Sequence, residues 1–156
     1  MFKVMFVCMG NVCRSPLAHL LLDNYLKKNG LTDKISVESS GVNVFSEGQA
    51  MCENIIATAA GRGLSMKHYS RRFYKEDGED FNLILAMDNT TMSRIKSTVK
   101  NTKVNGKIQF FRYFDPVRNG SSEVPDPWSG GRDESEMVYN MIERTMQPLV
   151  DSILNN

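Results

Sequence analysis

The sequence predicts a three-layer α/β domain: a four-stranded parallel sheet with helices on both faces. Three observations carry this. Short, nearly continuous apolar runs recur, as strands buried on both faces require. A stretch of helical character follows each run, so strand and helix alternate four times. Finally, 156 residues suffice for one core, and no linker, repeat or low-complexity segment divides them, so residues 1–156 form a single domain.

The first strand is KVMFVC, Lys3 to Cys8. Ser15 before Pro16 signals a helix start, a capping hydroxyl followed by a first-turn proline. Leu17, Leu20, Leu21 and Tyr25 recur at helical spacing, and Asn29-Gly30 closes that helix. KISVESSG (34–41) is the second strand, and about Gln49 to Ala60 the second helix, stopped by Gly61-Arg62-Gly63. FNLILAM, Phe81 to Met87, is the third strand, with Asp88 to about Ser97 as the helix after it. KIQFFRYF (107–114) is the fourth strand. Beyond a loop rich in Gly, Pro and Ser, Asp133 caps a final helix whose Val138, Met141, Ile142, Thr145 and Leu149 share a face. Pro148 inside that helix should kink it or end its regular hydrogen bonding, at a cost of about 3 kcal/mol.

Hydrophobic residues at 41% and charged residues at 24% exclude disordered and fibrous classes. Lys plus Arg (19) nearly balances Asp plus Glu (18), so no bulk positive field serves nucleic acid or an anionic membrane, and any anion site is local. No run approaches the roughly 18–20 apolar residues of a membrane span. The first residues are too short and end too polar for a signal peptide. Three cysteines, an odd number, make no disulfide framework; a reducing, cytoplasmic setting fits, where they pack, bind metal or react.

In open parallel sheets, ligands bind beyond the carboxyl ends of the strands, beside helix N-termini. The turn from Cys8 to Ser15 occupies such a place. Its backbone N–H groups, Met9 to Ser15, precede a helix whose first donors lack intrahelical partners, and successive amides in a tight turn make a concave anion nest. Gly10 and Asn11 tolerate the unusual dihedrals such a loop needs. Phosphate is the natural occupant, and Arg14 adds a planar fork for two of its oxygens. The same positive surroundings favour a thiolate at Cys8. Sulfur at the bottom of a phosphate cradle is placed to attack phosphorus, and the Ser15 hydroxyl to ease its departure.

At this point VCMGNVCRSP resembles the signature of the low-molecular-weight protein tyrosine phosphatases, and VPDPWSGG resembles that family's Asp-Pro loop. ESSGV, HYSRRF, LILAMD and the final helix lie in matching order, so the resemblance spans the chain. It implies a four-stranded parallel sheet in the order 2-1-3-4 and a two-step reaction through a cysteinyl-phosphate intermediate, with no metal and no cofactor. The partners it implies are phosphotyrosine-containing proteins or peptides, inorganic phosphate and oxyanion inhibitors, acting on a monomer or weak homodimer.

A phenolate leaves more readily with a proton donor. Asp126, stiffened by Pro125 and Pro127, becomes by resemblance the general acid of the first step and the base of the second. Trp128 either walls a slot for a phenyl ring or anchors the loop. The family commonly carries two tyrosines after its Asp-Pro, where this chain has Trp128-Ser129. Phe45 is placed as the opposite wall and Val12 as part of the slot. His68 falls where the family has a histidine that supports Ser15 and Asn11. His19, on the polar side of the first helix, needs no function. Asp88 fits two roles, orienting Arg14 or capping the helix after the third strand. For Cys13 the resemblance implies a reversible disulfide to Cys8, against simple packing; Cys52 is expected in the core.

Other functions meet specific residues that oppose them. A protein arginine phosphatase on the same scaffold tends to carry threonine where this chain has Val12, whose apolar branches favour a phenyl ring. Thiol-coupled arsenate reduction needs further cysteines near the third strand, and FNLILAMDNTTMSRIK holds none. Zinc on Cys8 and Cys13 lacks a second paired motif. A non-catalytic phosphate-binding module needs neither Cys8 nor Asp126.

Overall fold

The structure, a computed structural model, describes residues 1–155. Four strands, β1 (Phe2–Cys8), β2 (Ile35–Gly41), β3 (Leu83–Ala86) and β4 (Lys107–Phe110), form a parallel sheet in the order β2-β1-β3-β4. Among the described residues the helices are α1 (Arg14–Lys28), α2 (Glu53–Ala60), α3 (Asp77–Asp80), α4 (Asn89–Thr98) and α5 (Arg132–Leu154). None is long and apolar enough to cross a membrane.

β1 shows why its run is apolar throughout. Val4, Phe6 and Cys8 join a core with α1, α2 and α5, whereas Met5 and Val7 point the other way, to Met92, Ile95 and Val99 of and after α4. Alternate side chains of a strand face opposite sides, so a central strand covered twice has no polar face. The register sets Cys8 opposite Gly41 and Val7 opposite Ala86, which brings the carboxyl ends level. Because β1 is flanked by β2 on one side and β3 on the other, the loop after β1 opens at the switch point of the sheet.

Several boundaries differ from the sequence reading. α1 starts at Arg14, with Cys13 as its N-cap and no side-chain cap. Ser15 is therefore the second helical residue rather than the cap, and Pro16 the third, where its missing N–H still costs nothing. α2 starts at Glu53 instead of Gln49, because the Cys52 N–H is taken by the Val12 carbonyl at 2.8 Å. The fourth apolar run leaves the sheet at Phe110 and turns into a 3-10 segment, Phe111–Phe114, which puts Phe111 edge-on against Phe6 at 5.6 Å. α5 starts at Arg132 after Gly131, whose N–H donates to the Glu134 carboxylate at 2.8 Å, so Asp133 sits in the first turn and is not the cap. α5 also runs on through Pro148 to Leu154. Its buried face, from Val138 to Ile153, holds the helix together past the lost hydrogen bond. α3 is too short for periodicity to reveal.

Candidate active site

The loop between β1 and α1 turns its carbonyls outward. Cys8 O accepts from Val42 N–H at 3.0 Å, Met9 O from Asn43 N–H at 2.8 Å, and Val12 O from Cys52 N–H at 2.8 Å. Asn11 O meets His68 Nε2 at 2.7 Å. None of the N–H groups of Met9 to Cys13 donates to a carbonyl of the described residues. A ring of free donors around a strand end at a helix N-terminus is an anion nest.

Asn11 makes this shape possible. It has φ +57°, in the left-handed region that asparagine enters more readily than most residues. Gly10 does not have positive φ, so of the two residues expected to bear unusual dihedrals only Asn11 is in this region. The Asn11 side chain is used at both ends. Its Nδ2 donates to Ser15 Oγ (2.9 Å) and Ser39 Oγ (3.0 Å), and its Oδ1 accepts from Arg71 N–H (2.9 Å). Gly41 closes against the same loop: a Cβ there would stand 2.7 Å from Met9 O and 2.9 Å from Asn11 N, so no side chain fits.

Cys8, a buried free thiol, lies 2.9 Å from Ser15 Oγ. Since that oxygen already accepts from Asn11, its own hydrogen is available to the sulfur, with Ser40 O as the other acceptor at 3.3 Å. Arg14 is buried, and its Nη1 donates to Asp88 Oδ2 (2.7 Å) and Val124 O (3.1 Å). Burial alone would lower the Arg14 pKa. The charges of Cys8, Asp88 and Asp126 outweigh it and leave the guanidinium above its ordinary value. For Asp88, burial pushes up, but the bonds from Arg14 and Thr91 hold the carboxyl below the usual range. Its other oxygen caps α4 by accepting from Thr91 N–H at 2.7 Å. The two roles open for Asp88 are thus filled together.

Above this floor a cavity of about 310 Å³ opens, with Cys8, Gly10, Val12 and Arg14 inside and Phe45, Asp126 and Trp128 at its mouth. Phe45 and Trp128 are 95% and 64% exposed, so Trp128 is not packed as a loop anchor. Asp126 Oδ2 stands 3.6 Å from Arg14 Nη2, and its Oδ1 accepts from Trp128 N–H at 3.0 Å. The loop that carries it is tied to the end of β3, Val124 N–H donating to Met87 O at 2.7 Å.

Three expectations are corrected. Cys13 is bonded to Cys52, 39 residues away, and so neither packs as a free thiol nor pairs with Cys8; its Cα lies 5.4 Å from that of Cys52 because the segment before α2 runs beside the cradle. Cys52 does pack, half-buried, against the core as expected, and is the other half of that disulfide. His19 is half-buried, with an Nδ1 that has no hydrogen-bond partner among the described residues, and burial pushes its pKa down to about 4. His68 reaches Asn11 but not Ser15, which Asn11 holds instead; burial lowers the His68 pKa, with the bond at Asn11 opposing. Ser39, Ser40, Gly41 and Arg71 escaped the sequence reading as site residues. Only the quoted ESSGV and HYSRRF segments marked their neighbourhood. Among the described residues no three His, Cys, Asp or Glu side chains group to hold a metal.

The model of the family described as low molecular weight phosphotyrosine protein phosphatase matches residues 3–156. The chain belongs to that family. A low molecular weight protein-tyrosine-phosphatase of Streptomyces coelicolor is 29% identical over 153 residues, covering 97% of this chain and 93% of the relative. The crystal structure of a protein tyrosine phosphatase from Entamoeba histolytica superposes with a TM-score of 0.90 at 27% identity, over 99% of this chain and 98% of that one. The YwlE arginine phosphatase from Geobacillus stearothermophilus shares the fold, with a TM-score of 0.83 at 23% identity over 99% and 94% of the two chains. The four-stranded sheet of this low molecular weight phosphatase thus has the family's architecture.

Proposed function

We propose that this protein hydrolyses phosphotyrosine monoesters in two steps through a cysteinyl-phosphate. The observation that carries the reading is Cys8 Sγ at the floor of the cavity, beside Ser15 Oγ and Arg14 and beneath the free N–H groups of residues 9–13. In the first step the Cys8 sulfur attacks phosphorus, the bond from phosphorus to the phenolic oxygen breaks, and Asp126 gives that oxygen a proton. The nest and the Arg14 fork hold the equatorial oxygens as charge develops on them. In the second step water attacks phosphorus, Asp126 takes its proton, and the sulfur departs with the Ser15 hydroxyl donating to it.

Asp126 suits an acid by position: it is held by Trp128 N–H at the mouth, where a leaving oxygen emerges. Arg14, its nearest cation, is engaged on its other side by Asp88. Phe45, Val12 and Trp128 line the slot that a phenyl ring would enter. The fold shared with an arginine phosphatase keeps one rival alive, and Val12 is the residue against it, since it presents no hydroxyl to a guanidinium.

The test is a pair of variants. Cys8→Ser should lose turnover of p-nitrophenyl phosphate while still binding vanadate; retained turnover refutes the nucleophile. Asp126→Asn should slow aryl phosphates by about 10²–10⁴-fold, most for poor leaving groups. A loss independent of leaving-group pKa places the acid elsewhere. Phosphoarginine peptides assayed beside phosphotyrosine peptides decide the substrate.

A further inference from the structure

A second cavity, of about 390 Å³, adjoins the first and shares Val12, Gln49 and Trp128 with it. Its size falls in the roughly 300–1,000 Å³ range of ligand sites. A substrate whose ring lies in the first cavity therefore has its neighbouring atoms at the mouth of the second. The partition between them is firm. Cys52, which lines the second cavity, is joined to the phosphate loop by its disulfide to Cys13 and by its N–H to Val12 O. On the far side, Asn54 Nδ2 donates to Gly130 O at 3.0 Å, which ties α2 to the loop bearing Trp128.

The chemistry of this second cavity is polar and carries one charge. Glu53, in the first turn of α2, is the one ionisable side chain that lines it. It is exposed and has no ion-pair partner among the described residues. The nearest cations do not answer it: Arg62 and Arg132 line the next cavity, beyond Asn54, where Arg62 pairs with Glu136. No side chain caps α2; Cys52 N–H donates to Val12 O and Ile55 N–H to Cys52 O, which leaves the Glu53 and Asn54 N–H groups, among the described residues, for a peptide carbonyl.

We propose that this cavity is a subsite for the residue next to phosphotyrosine in a peptide substrate, and that Glu53 selects lysine or arginine there. The proposal rests on the phosphotyrosine reading and deepens it. An acidic wall beside a site that binds a dianion discriminates by the charge of the flanking residue, not by the phosphate.

The experiment compares kcat/KM for phosphotyrosine peptides that carry lysine or glutamate beside the phosphotyrosine, on either side in turn, at low salt. Wild-type enzyme should prefer lysine on one side by about threefold, the size of a partly exposed ion pair. The preference should vanish in Glu53→Gln, invert in Glu53→Lys and shrink at high salt. Turnover of p-nitrophenyl phosphate, which has no flanking residue, should be the same in all three proteins. No preference in wild type, or the same preference in Glu53→Lys, overturns the subsite. An enzyme that leaves every phosphotyrosine peptide intact overturns the phosphotyrosine reading instead, and the two failures are distinct.

Discussion

The floor of the site and its rim are built in opposite ways. On the floor, Cys8, Asn11, Arg14 and Ser15 are buried, and hydrogen bonds with β2, His68, Arg71 and Asp88 hold them. At the rim, Phe45 and Trp128 stand in solvent on loops, and Asp126 is half exposed with one hydrogen bond to a neighbouring N–H. Under the proposed reaction the difference separates two tasks. Charge stabilisation needs donors that do not reorganise, which burial and complete hydrogen bonding supply. Admission of a ring needs apolar surface that can open to the substrate, and loops on a rigid scaffold provide it. Damage to the floor should therefore appear as lost stability and lost kcat together, whereas damage to the aromatic walls of the rim should appear in KM, and loss of the proposed acid Asp126 in kcat without a loss of stability.

The largest effect is expected at Asn11. Asn11→Ala leaves Ser15 Oγ, Ser39 Oγ and the Arg71 N–H without their partner and puts alanine at φ +57°. Denaturant unfolding should show a loss of roughly 3–5 kcal/mol. A loss below about 1 kcal/mol would mean that the network does not hold the floor. Next in size is the disulfide. Cys52→Ser should destabilise the oxidised protein by about 2–4 kcal/mol, and mass mapping of wild type should find Cys13 joined to Cys52 with Cys8 free to alkylate. A Cys8–Cys13 peptide as the main product would reverse that assignment.

Behind the floor, His19 should give a pH effect of roughly 2–3 kcal/mol. Its folded pKa, about 4, lies below the ordinary 6.5, so the unfolded chain binds the proton more readily. The stability is complete above pH 6.5 and is lost as pH falls toward 4. His68, shifted in the same direction, adds to it. Urea midpoints at pH 7 and pH 4 should converge between wild type and His19→Gln at the acid end; parallel curves would exclude His19. The smallest effect belongs to the rim. Trp128→Ala should raise KM for aryl phosphates by a few-fold, with kcat and melting temperature nearly unchanged. A fall in kcat as large as that of Asp126→Asn would show that Trp128 positions the acid.

The order of strands and helices, the converging turn from Cys8 to Ser15 and the proline-flanked loop that brings Asp126 to the cavity were legible in the sequence because each is a continuous stretch. An apolar run, a helix start and a proline-flanked aspartate are local features, and the backbone expresses them where they stand. Even there, Ser15 was misplaced by a residue pair that fits a capping signal. The contest between a cap and a partner for sulfur is decided by what faces the hydroxyl, and that is not local.

Sequence alone thus determined which groups gather at the end of β1, since an amide nest, a thiol and a guanidinium within seven consecutive positions need only one turn to converge. Tertiary structure decided what stands behind them: Cys52 rather than Cys8 for Cys13, Asp88 for Arg14, and Ser39, His68 and Arg71 for Asn11. These partners come from elements 28 to 74 residues away. Contacts across such separations leave no periodicity in the chain; they exist only once the parallel sheet has set its strand ends side by side.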